Sequence, residues 1–165
     1  MTNVWRQECL KTEISTDSKK YAHLAKKYGA KAVYTSKRNK NGTERIAEGY
    51  SKIKKKYDLI VDIQGDEPLI SPTHIDNVIS EHLNNFDYDI ILPSVKCNNI
   101  DTPNIVKVVA NKKDEIMYLS RSPIPYSFKR KKNFSLKHLS IISFKPKALL
   151  KFKKEQQTLI EKIEG

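Results

Sequence analysis

An apolar run breaks into a sharply polar turn at Tyr57-Asp-Leu-Ile-Val-Asp-Ile-Gln-Gly-Asp-Glu-Pro68. No other stretch narrows the fold as much. Leu59 to Ile63 is β-branched and apolar with one acid inside it, the pattern of a strand buried on both faces of a parallel sheet. In open α/β sheets, ligands bind in the crevice at the carboxyl ends of such strands. Two carboxylates at that place, Asp66 and Glu67, can hold a hard cation such as Mg²⁺, which bridges to substrate phosphates. The plainer alternative is a loop of solvated acids ahead of a helix-starting proline.

The rest of the chain alternates in type. Val4 to Lys11 suits a short helix and Glu13 to Thr16 a strand. Asp17 is a good N-cap for a helix through Tyr28, and Gly29 a good stop. Tyr21, Leu24, Ala25 and Tyr28 give that helix one apolar face. Lys31 to Thr35 is the next strand and 36–42 a polar loop. A helix from about Thr43 to Lys56 follows, with Ile46, Ala47, Tyr50 and Ile53 inward. Ser71-Pro72 sets an N-cap before proline at the first helical position, opening a helix to about Leu83. Asp89 to Val95 is a strand. Val106 to Ala110 and Glu115 to Leu119 make a hairpin around Asn111-Lys-Lys-Asp114. Arg121 to Asn133 is a loop, His138 to Phe144 a strand, and Pro146 to Phe152 and Thr158 to Ile163 are short helices. This order predicts an α/β fold: a mostly parallel sheet flanked by helices, with an inserted β-hairpin lobe between Val106 and Phe144 beside a binding cleft. One domain over residues 1–165 is expected.

Charge raises the question of nucleic acid, because the net charge is +12. Lysine outnumbers arginine about five to one, however, and base and phosphate readers lean on arginine. The lysines are scattered over every expected helix, so solvated faces explain them and nucleic acid is not the expected partner. The densest group, Lys129-Arg-Lys-Lys132, falls in a loop. No apolar run is long enough to span a bilayer. Cys9 and Cys97 have no partner at ligand spacing, which points to reduced thiols in the cytoplasm.

Two further places carry chemistry. Gly42, Thr43 and Arg45 open a helix, where backbone N–H groups favour phosphate and the guanidinium reaches a phosphate or a base. The alternative is a glycine turn with Glu44 set against the helix dipole. Arg121 follows a strand and precedes a Pro-Ile-Pro bend, which suits a fixed cation for a carboxylate or phosphate. The alternative is a surface ion pair. His138 starts a strand, where a structural role is the simpler reading. His23, His74 and His82 lie on helices and have no triad spacing.

Taken in order, these pieces form a set. Gly-Thr-Glu-Arg at 42–45, Val-Asp-Ile-Gln-Gly-Asp-Glu-Pro at 61–68, Pro-Asn-Ile-Val-Lys-Val-Val at 103–109, Tyr-Leu-Ser-Arg-Ser-Pro-Ile-Pro at 118–125 and Lys-His-Leu-Ser-Ile at 137–141 succeed one another. The set resembles the CTP:3-deoxy-manno-octulosonate cytidylyltransferases, the CMP-Kdo synthetases, from about Asp17 onward. Gly-Thr-Glu-Arg favours them over the acylneuraminate-type relatives, which remain an alternative.

The resemblance implies a nucleotide-diphospho-sugar transferase fold with a β lobe that forms a homodimer. It implies attack of the anomeric hydroxyl of Kdo, a 2-keto sugar acid, on the α-phosphorus of CTP, with Mg²⁺ as cofactor and pyrophosphate released. By the same likeness Asp66 is the metal acid. Gln64 and Gly65 meet nucleotide and sugar, Gly42, Thr43 and Arg45 line the cytidine site, and Arg121 and His138 approach the sugar's carboxylate and hydroxyls. Three positions depart from the family pattern: Asn39 stands where His is common, Ile142 where Tyr is, and Ser140 where Gly is. The family's first strand with its basic phosphate loop, and a late metal acid, have no counterpart, so the domain is expected to be incomplete at both ends. An inactive remnant of the family is the corresponding alternative.

Overall fold

A computed structural model describes residues 12–67, 69–98, 101–126, 128 and 134–164. The helix expected at Val4 to Lys11, Cys9, Pro68 and the Lys129–Lys132 cluster lie outside the described residues. Of the described residues, 12–57 and 149–154 form one compact unit, and 58–148 and 155–164 a second.

In the first unit β1 (Glu13–Thr16) and β2 (Lys31–Tyr34) pair in parallel, Glu13 opposite Lys31 and Thr16 opposite Tyr34. The helix between them, α1 (Lys19–Lys27), starts at Ser18, whose hydroxyl accepts the Tyr21 N–H. The cap is therefore one residue past the expected Asp17. Asp17 is drawn instead to Arg45. Gly29 closes α1 with φ of 79°, a left-handed conformation in which a Cβ is penalised. The helix α2 (Gly42–Lys52) packs on β1 and β2 through buried Ala47 and Gly49. Its last residue, Lys52, is four before the expected end, and the backbone turns extended at Ile53.

The second unit holds two sheets. β3 (Ile60–Ile63), β9 (Ile141–Phe144) and β4 (Ile90–Ile91) form one, in the order β3-β9-β4. β5 (Ser94–Cys97), β8 (Ser135–His138), β6 (Lys107–Ala110) and β7 (Ile116–Ser120) form the other, in that order. The helix α3 (Pro72–Asn84) joins β3 to β4, capped by Ser71 with Pro72 at its start as expected. α4 (Pro146–Lys154), whose residues 149–154 belong to the first unit, and α5 (Leu159–Glu164) follow.

The expected mostly parallel sheet is corrected here. Among the described residues only β1 and β2 pair in parallel, and every pair in the second unit is antiparallel. The physical reason is an insertion. β3, α3 and β4 are a crossover unit whose two strands do run in the same direction, as alternation implies. β9 comes back from far along the chain and lies between them, so each meets an antiparallel neighbour. Mixed α/β character and the hairpin lobe stand, with β6 and β7 as its hairpin.

Two expected strands also divide. The run Asp89 to Val95 becomes β4 and β5, in different sheets, separated by Leu92 and Pro93. Proline lacks the N–H that a ladder needs, so the chain leaves one sheet there and enters the other. The run His138 to Phe144 likewise becomes β8 and β9, separated by Leu139 and Ser140. The two passes run side by side, with the Leu139 N–H donating to the Pro93 carbonyl at 3.1 Å.

His82 ties α3 to the first of these sheets. It is fully buried, with Nδ1 2.7 Å from Ser143 Oγ and Nε2 3.0 Å from the Tyr88 carbonyl. The carbonyl can only accept, so Nε2 carries the proton and Nδ1 accepts from the serine. Burial pushes the His82 imidazole below its ordinary pKa, and burial does the same at His138. A group whose folded pKa is depressed in this way prefers to be neutral in the folded state. The unfolded chain therefore takes up protons first as pH falls. Stability is fully present above the ordinary histidine pKa and declines as pH drops below it. A urea midpoint lower at pH 5.5 than at pH 7.5, with the difference reduced in His82→Gln, is the expected result; an equal drop in that variant would exclude His82 as a source.

Candidate functional site

In the first unit the segment after β2 is gripped by one face of α2. Arg45 Nη2 donates to Asp17 Oδ2 at 3.0 Å, and Nη1 donates to Thr35 Oγ1 at 3.0 Å and to the Ser36 carbonyl at 3.4 Å. One turn on, Glu48 accepts the Ser36 N–H at 3.0 Å and Asn39 Nδ2 at 2.7 Å. Lys52, one turn further, donates to Glu48 and to the Tyr34 carbonyl, both at 2.7 Å. The Lys52 and Asn39 hydrogen bonds hold the Glu48 carboxyl down to about 2. The start of α2 is self-capped: Asn41 Oδ1 accepts the Glu44 N–H at 2.9 Å, and Glu44 accepts the Lys40 N–H at 2.8 Å. The reading of Glu44 against the helix dipole therefore describes this helix start, next to half-buried Thr43 and exposed Gly42. Arg45, expected to reach outward, instead braces the carboxyl ends of β1 and β2. Glu48 and Lys52 were missed from sequence; their signal is the i, i+3, i+7 spacing with Arg45 on a face that periodicity labels polar.

In the second unit the acidic turn closes β3. The Gln64 N–H donates to the Ser140 carbonyl at 3.3 Å, and the Glu67 N–H to the Gln64 carbonyl at 3.2 Å. Ser140 Oγ donates to Glu67 Oε1 at 3.1 Å, so the turn is fastened to the pass between β8 and β9. Gln64, Gly65 and Asp66 are exposed, and Asp66 has no side-chain partner among the described residues. Among those residues no three His, Cys, Asp or Glu side chains gather as a metal cage. A carboxylate so exposed is an oxygen ligand of the type that a hard cation such as Mg²⁺ would take.

His138 ends β8 on the other side of the same pass. Its N–H donates to the Val106 carbonyl at 2.9 Å, while its Nε2 is buried without a hydrogen-bond partner among the described residues. Lys107 is paired with Lys137 on one side and with Ser120 on the other. His138 and Arg121 therefore lie at the same end of the lobe sheet, with the start of β6 between them. At strand spacing this is about 10 Å. The structure thus joins the turn, Ser140, His138 and Arg121 along one end of this unit.

Arg121 stands at a cleft of about 380 Å³ walled by Asp101 and Pro103, by Arg121 to Pro123, and by Ile163 and Glu164. Its Nη1 donates to the Pro103 carbonyl at 2.8 Å. The other guanidinium nitrogens have no partner among the described residues. The alternative, a surface ion pair at contact distance, is absent from its side chain among the described residues, though its charge helps to lower the pKa of the Glu164 carboxyl. Its backbone N–H donates to Glu164 Oε2 at 3.0 Å, and Glu164 Oε1 accepts from Ser120 Oγ at 2.6 Å and Tyr118 Oη at 3.0 Å. The Ser120 and Arg121 hydrogen bonds keep the Glu164 carboxyl below its ordinary pKa.

The chain belongs to the cytidylyltransferase family, whose model matches residues 5–165. Within it, the sequence is 38% identical over 155 residues to the 3-deoxy-manno-octulosonate cytidylyltransferase of Fusobacterium nucleatum, covering 92% of this chain and 63% of that protein. It is 36% identical over 156 residues to the mitochondrial 3-deoxy-manno-octulosonate cytidylyltransferase of Arabidopsis thaliana, covering 92% of this chain and 54% of that protein. Its fold matches a solved CMP:2-keto-3-deoxy-manno-octonic acid synthetase complexed with CTP, with a TM-score of 0.83 and 26% identity. That match covers 94% of this chain and 64% of the solved one. The fold is therefore that of a nucleotide-sugar transferase. The chain spans between about half and two thirds of the length of these relatives. Among the described residues no helix is long and apolar enough to cross a membrane.

Proposed function

We propose that this chain serves a cytidylyl transfer from CTP to a 2-keto sugar acid of the 3-deoxy-manno-octulosonate kind, giving the CMP-sugar and pyrophosphate for a cell-surface glycan. The supporting observation is the likeness, over 92% of the chain, to relatives that bear this name. In this reading the free guanidinium donors of Arg121 take the sugar's carboxylate, because a planar fork matches its two oxygens. His138 approaches the sugar from the same end of the sheet, and the exposed residues Gln64 and Gly65 meet nucleotide and sugar. Gly42 and Thr43 line the cytidine site, with Arg45 acting through the loop it braces. Asp66 would hold Mg²⁺, which would supply positive charge beside the phosphates. The sugar's anomeric hydroxyl is the nucleophile, so the residues' share of the catalysis is positioning.

A second copy of the chain is the proposed macromolecular partner, through the lobe, where Met117 is 68% exposed on edge strand β7. The reaction belongs in the cytoplasm, where CTP is. The test is pyrophosphate release from CTP and 3-deoxy-manno-octulosonate with Mg²⁺, with sedimentation velocity on the same samples reading the mass. Release that needs both substrates is expected. None from this chain, nor from one that includes any coding sequence flanking it, would remove the assignment.

A further inference from the structure

Lys107 is fully buried, in the middle of a β-branched run on β6, an inner strand of the four-stranded sheet, between β8 and β7. Its Nζ donates to the Thr102 carbonyl and to the Arg121 carbonyl, each at 2.6 Å. No carboxylate faces it among the described residues. An aliphatic side chain would fill this strand position without the desolvation that an ammonium suffers. What the ammonium adds is a tie between two loops: the one before β6, which carries Asp101 and Pro103, and the one after β7, which carries Arg121. These are two walls of the cleft described above. Glu164 acts from the third wall, holding the Arg121 N–H and the Ser120 hydroxyl. Arg121 therefore has its amide on a carboxylate, its carbonyl on an ammonium and its Nη1 on the opposite wall.

We propose that Lys107 and Glu164 are positioning residues: they clamp the two peptide units of Arg121 from opposite sides and so aim its guanidinium into the cleft for the carboxylate of the sugar acid. This inference rests on the proposed reading of Arg121. Each acts through the Arg121 backbone, Lys107 from outside the cleft lining and Glu164 from its wall. Their opposite charges match the two ends of the backbone they hold, a carboxylate for the N–H and an ammonium for the C=O.

The test uses the whole chain with Lys107→Met, Glu164→Gln and Arg121→Ala. Calorimetry reads the affinities of 3-deoxy-manno-octulosonate and of CTP separately, and amide exchange reads the Arg121 N–H. The expected result is sugar-acid binding weakened about tenfold or more in both clamp variants with CTP affinity kept within about twofold, since a misplaced contact group costs that much. Arg121 amide exchange should rise about tenfold in Glu164→Gln, where the acceptor loses its charge. A merely structural role would weaken both ligands together, and that outcome overturns the proposal. Should Lys107→Met not fold, Glu164→Gln decides alone. If Arg121→Ala loses the sugar acid while both clamp variants keep it, the positioning role fails and the reading of Arg121 survives. If Arg121→Ala binds the acid as the unaltered chain does, or the unaltered chain does not bind it, the reading of Arg121 fails and the positioning role goes with it.

Discussion

Arg121→Ala lowers kcat/KM for the sugar acid by about a hundredfold or more, while its thermal midpoint stays within about 2 °C of the unaltered chain. The two parts follow from different contacts. Within the chain the guanidinium makes one hydrogen bond among the described residues, to the Pro103 carbonyl. A single exposed bond of this kind contributes about 1 kcal/mol or less. The backbone grips by Lys107 and Glu164 survive the substitution, because they hold the amide and the carbonyl. Against the substrate, the fork loses paired bonds to a carboxylate, which are worth several times more. Arg121→Lys keeps the charge and loses the fork, so it should fall between the two, with the loss in KM for the acid and not in KM for CTP. Initial rates at saturating CTP, with melts of the same samples, check both parts. An unchanged KM for the acid in Arg121→Ala would remove the guanidinium from the site.

Gly49→Val destabilises the first unit by about 3 kcal/mol, at the upper end for overpacking. Gly49 lies inside α2, where glycine costs about 1 kcal/mol relative to alanine, so its place needs a reason. The reason is β1. A Cβ at this position would overlap Ser15 Oγ and stand 3.2 Å from Ser15 Cβ. With alanine the serine hydroxyl can rotate away and the helix gains propensity, so Gly49→Ala should lie within about 1 kcal/mol of neutral. Valine adds two methyl groups that have nowhere to go, and α2 must lift from β1. Arg45, Glu48 and Lys52 ride on the same helix, so the loop after β2 loosens with it. Urea unfolding of the three chains gives the comparison. A Gly49→Val midpoint equal to that of the unaltered chain would show that the approach is not tight.

Local chemistry was legible where one residue decides an outcome. Ser71-Pro72 announced the start of α3, and Gly29 the end of α1. The polar turn at 64–67 was placed at the end of its strand. What stayed hidden is which strands are neighbours. Alternation along a strand reports two faces, not who pairs at the edges, so β9 between β3 and β4 left no trace in the run at 59–63. Pro93 was a visible signal that one expected strand would divide; Leu139 and Ser140 carry no comparable mark. Lys107 had a signal too, a lone cation in Ile-Val-Lys-Val-Val, but what it holds lies in two loops that only the fold brings together. Arg45 was recognised as special for its place at a helix start, and its partner Asp17, 28 residues away, could not be seen from there.

The two short passes at Leu92-Pro93 and Leu139-Ser140 bear on how this fold tolerates change in length. One added residue in either pass would shift a strand by one pleat and turn its inward side chains outward, in the lobe or in the neighbouring sheet. The tip at Asn111 to Asp114 has no such constraint, since the hairpin it closes ends in solvent and Asp114 already adopts φ of 61°. Length variants should therefore accumulate at that tip, while both passes keep two residues each.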